Sequence, residues 1–323
     1  IFLLWYHGRG RGVFLKPGSV KDRDLRLAVS IAESAPGAAG AHGAPDVPLL
    51  GPAPPGGRVA FLFMLRRGIT HLETWRGWLA PELGRPAPRV SLYFHLADGA
   101  EAAPDDARAL AALPGARRVV PTVTTGWCEL MAAEVALYKA ALADDPGAEL
   151  FVLLPGDALP LVPLESALAT LLGAASPGGA HAPTRICPAG VRGMDVSADC
   201  AHGTEPHWAR MMLLKHHQWT ALSRAHAARV ADAQRMRVAV GIFKERYMGE
   251  PLCSDEVLPL LALAQPAGPE HNHSAGGHPP SLDQLPLYQG ATRGLAEFED
   301  GLRALGVTAG CITYAPWPGC HGG

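Results

Sequence analysis

Two adjacent acids, Asp255 and Glu256, could do acid–base chemistry, because a carboxylate can take a proton from a reacting hydroxyl group. They follow Ser254, a residue type that often caps the N-terminus of a helix. Acids in a first helical turn also stabilise the helix by facing the positive end of its dipole. Taken alone, the dipeptide favours this structural role, so the wider sequence has to decide.

Histidines form two groups whose spacing could suit zinc. The groups are His202, His207, His216 and His217, and then His271, His273 and His278. Neither group contains the helical H-E-x-x-H arrangement, and Glu270 is the only acid adjacent to them. We interpret these histidines as exposed loop residues and expect no metal site.

Several function classes lack the motifs that would carry them. The sequence has no G-x-S-x-G elbow, no G-x-x-x-x-G-K-[ST] phosphate loop and no G-x-G-x-x-G after a strand. Hydrolase, nucleotidase and dehydrogenase functions are therefore not indicated. The net charge of -2, without a run of lysines or arginines, gives no footprint for nucleic acid.

Apolar runs and helical spacing predict the elements that would position such residues. The run from Val59 to Leu65 is typical of a strand buried on both faces. Further strands are predicted at 90–95, 118–120 and 150–154, with helices at 69–81 and 130–142 between them. This alternation predicts an α/β fold with a mostly parallel central sheet flanked by helices, which binds ligands at the carboxyl ends of its strands.

The two ends of the chain differ from this core. Residues 35–57 are almost wholly Ala, Gly and Pro, so we expect 1–57 to be a low-complexity stem or linker, disordered in part. The catalytic domain is expected to cover 58–323. Its second half looks more irregular, with regularity returning in a helix at 219–230 and another that Ser254 caps.

Five segments, taken together and in order, resemble the core-2/I-branching family of glycosyltransferases of the plant and algal kind. They are Val59 to Leu65, Tyr93-Phe94-His95 with Asp98, Phe151 to Leu154 continuing to Leu159-Pro160-Leu161, Lys215 to Trp219, and Asp255-Glu256. The two most specific are the F-V-L-L segment with its following Pro-Leu and the K-x-x-Q-W motif. The resemblance covers about residues 58 to 323.

The resemblance implies an A-type nucleotide-sugar fold and an inverting transferase that works without a metal or other cofactor. Its partners would be a UDP-sugar donor, with N-acetylglucosamine, xylose or glucuronic acid all used in the wider family, and a glycan acceptor. Inversion needs one base to deprotonate the acceptor hydroxyl. The family places that base at the position of Glu256.

The resemblance also assigns binding residues. On the donor side these are His95, Asp98 and Asp255, although the family has its acid one position earlier, where this chain has Ala97. On the acceptor side they are Trp127, Glu134, Lys215, Gln218 and Trp219. Trp127 has an alternative as a packing anchor, and Trp219 as a core residue that staples the start of a helix.

Two further features bear on how the diphosphate of a donor would be held. Asp22-Arg23-Asp24 matches the D-x-D metal motif of other glycosyltransferases but follows no strand, so we interpret it as a solvated charge cluster. No Arg or Lys follows Arg303 to meet the diphosphate. Either Arg303 or His321 substitutes, or the basic residue lies beyond Gly323, which we favour, or the protein is catalytically weak. The alternative function is that of a catalytically inactive carbohydrate-binding or assembly module with the same fold.

Localisation is predicted by resemblance alone. Relatives are single-pass Golgi membrane proteins of type II with a lumenal catalytic domain. The apolar opening Ile1 to Tyr6 is too short to span a membrane, so we expect a fragment whose anchor is not in this chain. Six cysteines without a C-x-x-C pair leave open whether they form disulfides or stay as buried thiols.

Overall fold

The computed structural model describes residues 2–4, 19–34, 41–42, 57–65, 68–83, 85–97, 116–119, 122–126, 128–173, 182–188, 214–248, 252–266, 281–293 and 295–314. Its strands are β1 Phe2–Leu4, β2 Ala41–His42, β3 Arg58–Leu65, β4 Val90–Leu96, β5 Ala116–Val119, β6 Ala148–Pro155, β7 Ala158–Pro160, β8 Thr184–Ile186, β9 Ala221–Ser223, β10 Val307–Ala309 and β11 Thr313–Tyr314. Its α-helices are α1 Ser19–Glu33, α2 Leu72–Leu83, α3 Met131–Asp144, α4 Leu164–Leu172, α5 Arg224–Val230, α6 Ala233–Arg246, α7 Leu258–Ala264, α8 Pro286–Arg293 and α9 Leu295–Ala304. Two 3-10 turns cover Ser254–Glu256 and Leu282–Gln284.

The main sheet is mixed, with a parallel centre. Its strand order is β10-β8-β9-β6-β3-β4-β5-β2. The central strands β6, β3, β4 and β5 are parallel to one another, whereas β9 pairs antiparallel to β6 and β2 antiparallel to β5. A smaller sheet has the order β11-β1-β7. The predicted α/β class with a mostly parallel central sheet is confirmed.

Strand β3 separates two hydrophobic cores. All eight of its residues are buried, as its continuous apolar run predicts. Because side chains alternate along a strand, Leu62 and Met64 join the core beneath α3, whereas Phe61 and Phe63 join the core beneath α2. On the α2 side, Trp75 packs edge to face against both phenylalanines.

Helix α3 is buried almost all round. Ten of its fourteen residues are buried, and most of those are small, which suits close packing between the sheet and α1. Helix α1 buries Leu25 and Ala28 in the same core. Lys139 of α3 donates hydrogen bonds to Ile31 O and Ala32 O, at 2.7 Å each, near the end of α1.

The stem predicted for residues 1–57 therefore has to exclude α1, which belongs to the folded core. Its sequence carries apolar residues at helical spacing, but their burial depends on α3 and α6, far along the chain. Most of the Ala/Gly/Pro-rich stretch 35–57 lies outside the described residues. The second half, predicted to be irregular, contributes helices α5 to α9.

Three predicted boundaries were wrong. The helix predicted at 219–230 begins only at Arg224, because Ala221 to Ser223 pair with β6 as strand β9. Helix α2 continues through Pro81 to Leu83. Ser254 opens a 3-10 turn rather than capping an α-helix, and the helix α7 starts at Leu258.

Cysteines in the described residues form disulfides, which decides the alternative left open by the sequence. Cys128 is bonded to Cys253, and Cys187 to Cys311. Cys200 and Cys320 lie outside the described residues. Among the helices described, none has the length and apolar character needed to cross a membrane.

Candidate active site

The site is built where a segment before β9 meets the turn Ser254–Glu256. Nζ of Lys215 lies 3.0 Å from Oε2 of Glu256, and both side chains are partly exposed, at 23% and 17%. The backbone N–H of His216 donates to Glu256 O over 2.8 Å. One side-chain contact and one backbone hydrogen bond thus fix the two segments against each other.

Helix α3 and strand β6 hold the Lys215 segment in place. The hydroxyl of Tyr138 lies 3.1 Å from Thr220 Oγ1, and Thr220 O accepts from Leu153 N over 2.9 Å. Tyr138 stands one helical turn after Glu134. The same face of α3 therefore carries Glu134 and anchors the end of the Lys215 segment.

Glu134 is buried, with 1% of its surface exposed, beside carboxyl groups from other elements. Burial raises its pKa well above the ordinary value, and the charges of Asp255 and Asp24 raise it further. The Gln218 amide lies close to it, but Gln218 Nε2 and Glu134 Oε1 have no hydrogen-bond partner of normal geometry among the described residues.

Asp255 and Glu256 are adjacent in sequence but differ in environment. Asp255 is 2% exposed, and burial, together with the charge of Glu256, raises its pKa to about 8. Asp255 therefore keeps a proton at neutral pH. Glu256 has an ammonium group beside it and some access to solvent. Pairs of acids in such different environments are typical of sites where the two acids have separate roles.

The turn that carries these acids is tied down at its start. The disulfide Cys128–Cys253 joins it to the segment before α3. Ser254 Oγ donates to Oδ2 of Asp24 over 3.0 Å. Asp24 is 4% exposed, so its interpretation as part of a solvated charge cluster was wrong. Asp22, by contrast, forms partly exposed ion pairs with Arg26 and Lys244.

Two of the histidines expected to be exposed are not. His216 is fully buried, its Nδ1 lies 2.7 Å from His217 O, and burial lowers its pKa to about 4. Burial also lowers the pKa of the His217 imidazole. The backbone N–H of His217 donates to Cys187 O. The other five histidines of the two groups lie outside the described residues, within which no group of His, Cys, Asp and Glu could hold a metal ion.

On the predicted donor side, His95 has a structural contact. It is 1% exposed, and its Nε2 accepts from Val123 N over 2.9 Å, which fixes the loop that leads toward α3. Buried positions such as those of His95 and Asp255 suit positioning of the site better than direct contact with a donor. Asp98 lies outside the described residues.

Trp219 is partly buried and packs against both cores. It precedes strand β9, and Ser223 caps the next helix, so the predicted staple at a helix start was wrong. Trp127 lies outside the described residues, as does His321. Arg303, the other candidate for the diphosphate, is exposed on α9 and pairs with Asp300 of the same helix.

The structure thus brings together Glu134, Lys215, Gln218, Asp255 and Glu256 from three segments. Sequence reasoning missed Asp24 and the Cys128–Cys253 bond. The D-x-D match drew attention to Asp24 but carried no sign of its burial. A small apolar cavity between α2 and the sheet, lined by Phe63, Trp75 and Phe94 among others, is lined by none of these five residues.

Comparisons with protein-family models, with curated proteins and with solved structures each find no match to this chain. What this chain does must therefore be inferred from the residues of the site and from the motifs that predicted them.

Proposed function

We propose that this chain is an inverting, metal-independent glycosyltransferase of the A-type nucleotide-sugar fold, moving a sugar from a UDP-sugar to a glycan hydroxyl. The observation that supports it most is the contact of Lys215 with Glu256, 3.0 Å apart. Two separate motifs, K-x-x-Q-W and Asp-Glu, suggested these residues. Their contact, with Glu134 and Asp255 as neighbours, is what one shared active site requires.

Glu256 is the general base of the proposed reaction. The acceptor hydroxyl gives its proton to the Glu256 carboxylate while its oxygen attacks the anomeric carbon of the donor sugar. A new bond from oxygen to that carbon forms as the bond to the diphosphate oxygen breaks, and UDP leaves with the electron pair. Attack opposite the leaving group inverts the configuration.

The neighbours of Glu256 support this role. Lys215 places a positive charge beside the carboxylate and limits its orientation. Asp255, which keeps its proton at neutral pH, adds no second negative charge next to the base. Gln218 lies beside Glu134, and its Nε2 has no hydrogen-bond partner of normal geometry among the described residues, so we assign it a hydrogen bond to an acceptor oxygen.

The two disulfides support a location outside the reducing cytosol, since such bonds persist in oxidising compartments. We propose that the catalytic domain works in the Golgi lumen, held there by an anchor in the full-length protein. Glycans undergoing assembly are present in that compartment.

The test is transfer by the purified chain from a panel of UDP-sugars, compared with its Glu256→Gln variant. Glutamine keeps the size of the side chain but cannot accept the proton. We expect transfer to be abolished and UDP-sugar binding, measured by calorimetry, to be retained. Glu245→Gln is the matched control, since Glu245 is an exposed acid on α6.

Unchanged turnover in Glu256→Gln would refute the assignment of the base. Binding of a glycan without turnover by the wild type, under any donor, would instead favour the alternative of an inactive carbohydrate-binding or assembly module.

A further inference from the structure

We infer that Asp24 is a positioning residue of the proposed active site, holding the turn Ser254–Glu256 against the N-terminus of α3. Its catalytic consequence rests on the proposed function. The N-terminal helix α1 then belongs to the catalytic apparatus rather than to a stem.

One carboxylate joins three distant segments. Asp24 stands on α1, and its Oδ1 accepts a hydrogen bond from the backbone N–H of Ala132 over 3.1 Å. Its Oδ2 accepts from Ser254 Oγ over 3.0 Å. Both bonds are buried, so water does not compete with them for either partner.

Each partner of Asp24 lies two residues before a proposed site residue. Ala132 precedes Glu134 on the first turn of α3, and Ser254 precedes Glu256 on the 3-10 turn. The two oxygens of Asp24 therefore join these two chain segments, beside the Cys128–Cys253 disulfide that links the same regions. A shift of Asp24 would move the base relative to the acid cluster.

Asp24 also supplies what α3 lacks at its N-terminus. The N-cap position of α3 is Leu130, whose side chain makes no capping hydrogen bond. Free N–H groups of a first turn need acceptors, and a carboxylate there also faces the positive end of the helix dipole. A residue of α1 thus acts as the cap of another helix.

Other contacts keep α1 in register for this task. Lys139 donates to the carbonyl groups of Ile31 and Ala32 near the end of α1, at 2.7 Å each. The Cys128–Cys253 disulfide crosses the same junction, and Ser254 Oγ lies 3.3 Å from Cys128 O. Asp24 itself contacts both α3, through Ala132, and the turn Ser254–Glu256, through Ser254.

The experiment compares Asp24→Ala, Asp24→Asn and the control Asp22→Ala in the same transfer assay. Alanine removes both hydrogen bonds, and we expect kcat to fall by roughly 10- to 100-fold with little change in donor KM, the size typical of a misplaced catalytic group. Asparagine can accept from Ala132 and donate to Ser254, so it should recover most of kcat. Asp22→Ala should stay near wild type.

Hydrogen exchange gives a second measurement that does not depend on turnover. In Asp24→Ala, amides of residues 131–134 and 252–257 should exchange faster, whereas those of β3 should not change. If Asp24→Ala does not fold, Ser254→Ala removes the bonds of Ser254 Oγ to Asp24 and to Cys128 O but keeps the bond from Ala132 to Asp24, and it should show faster exchange at 252–257 with a smaller change at 131–134.

The outcomes separate the two proposals. Unchanged exchange at 252–257 would overturn the positioning role, whatever the activity. Faster exchange with an unchanged kcat would overturn its catalytic consequence. A wild type that transfers no sugar would end the proposed function, and the exchange data would still decide whether Asp24 holds the turn.

Discussion

Lys215 and Glu256 come from different segments, yet the nitrogen of one lies 3.0 Å from a carboxylate oxygen of the other. The contact is an ion pair, and Glu256 Oε2 has no hydrogen-bond partner among the described residues. Partly exposed pairs contribute little to stability. We therefore expect loss of this ion pair to lower activity more than it lowers stability.

Lys215→Met should lower kcat by about tenfold or more, because the carboxylate loses the charge that orients it, while the unfolding midpoint should change little. Steady-state kinetics and urea unfolding check this. Lys244→Met is the control, since Lys244 forms a partly exposed ion pair with Asp22. A large loss of stability without loss of kcat would contradict the prediction.

Asp255→Asn should change how stability depends on pH. Burial raises the pKa of Asp255 from the ordinary 3.8 to about 8. Between these values the folded state keeps a proton that the unfolded chain has lost, so wild-type stability falls as the pH rises from about 4 to about 8. Asparagine does not titrate. The free energy of unfolding of Asp255→Asn, minus that of wild type, should therefore rise over this range by on the order of a few kcal/mol.

Urea unfolding of both proteins at several pH values measures that difference. Asp232→Asn is the control, because Asp232 is an exposed acid. Its side chain accepts from Arg235 N at the start of α6. A difference between Asp255→Asn and wild type that stays constant from pH 4 to 8 would show that Asp255 is ionised throughout.

Gln218→Ala should weaken acceptor use. We assign Gln218 Nε2, which has no hydrogen-bond partner of normal geometry in the described part of the chain, to an acceptor oxygen. One hydrogen bond is worth about 0.5–1.5 kcal/mol, or up to roughly tenfold in acceptor KM. Donor binding should stay unchanged. Gln234→Ala on α6 is the control. An equal rise in donor KM would contradict a contact of Gln218 with the acceptor alone.

The double variant Cys128→Ala and Cys253→Ala should lose about 2–5 kcal/mol of stability, because the bond closes a long loop of the unfolded chain. It should also lose kcat, since the turn with Glu256 loses its covalent anchor. Removing Cys187–Cys311 in the same way should cost similar stability but less kcat. Equal losses of kcat from the two variants would indicate a global effect.

The sequence was enough to predict those elements that are marked by a continuous run of apolar or small residues. The apolar runs of β3 and β6 and the alanine-rich α3 were predicted within a few residues, because burial on both faces leaves few polar positions. Strand β9 was predicted as helix, since Ala221 to Ser223 have no strand signal of their own and become extended by pairing with β6.

The site residues also divide into those that the sequence predicted and those that it could not predict. Residues of Lys-x-x-Gln-Trp and Asp-Glu were expected to share a function, and Lys215 and Glu256 are in contact. The role of Asp24 could not be predicted, because it depends on Ala132 and Ser254, both more than 100 residues away. Burial of a charged residue on an amphipathic helix is visible only once its partners are placed.

The alternation along β3 has a consequence for how this protein can diverge. Phe61 and Leu62 are neighbours in the chain but belong to separate interiors. Exchange of the aromatic packing beneath α2 would change the interior away from Glu134, and would reach the site through Trp219, which packs against both cores. Sequence drift should therefore be faster at the odd-numbered positions of β3 than at the even-numbered ones.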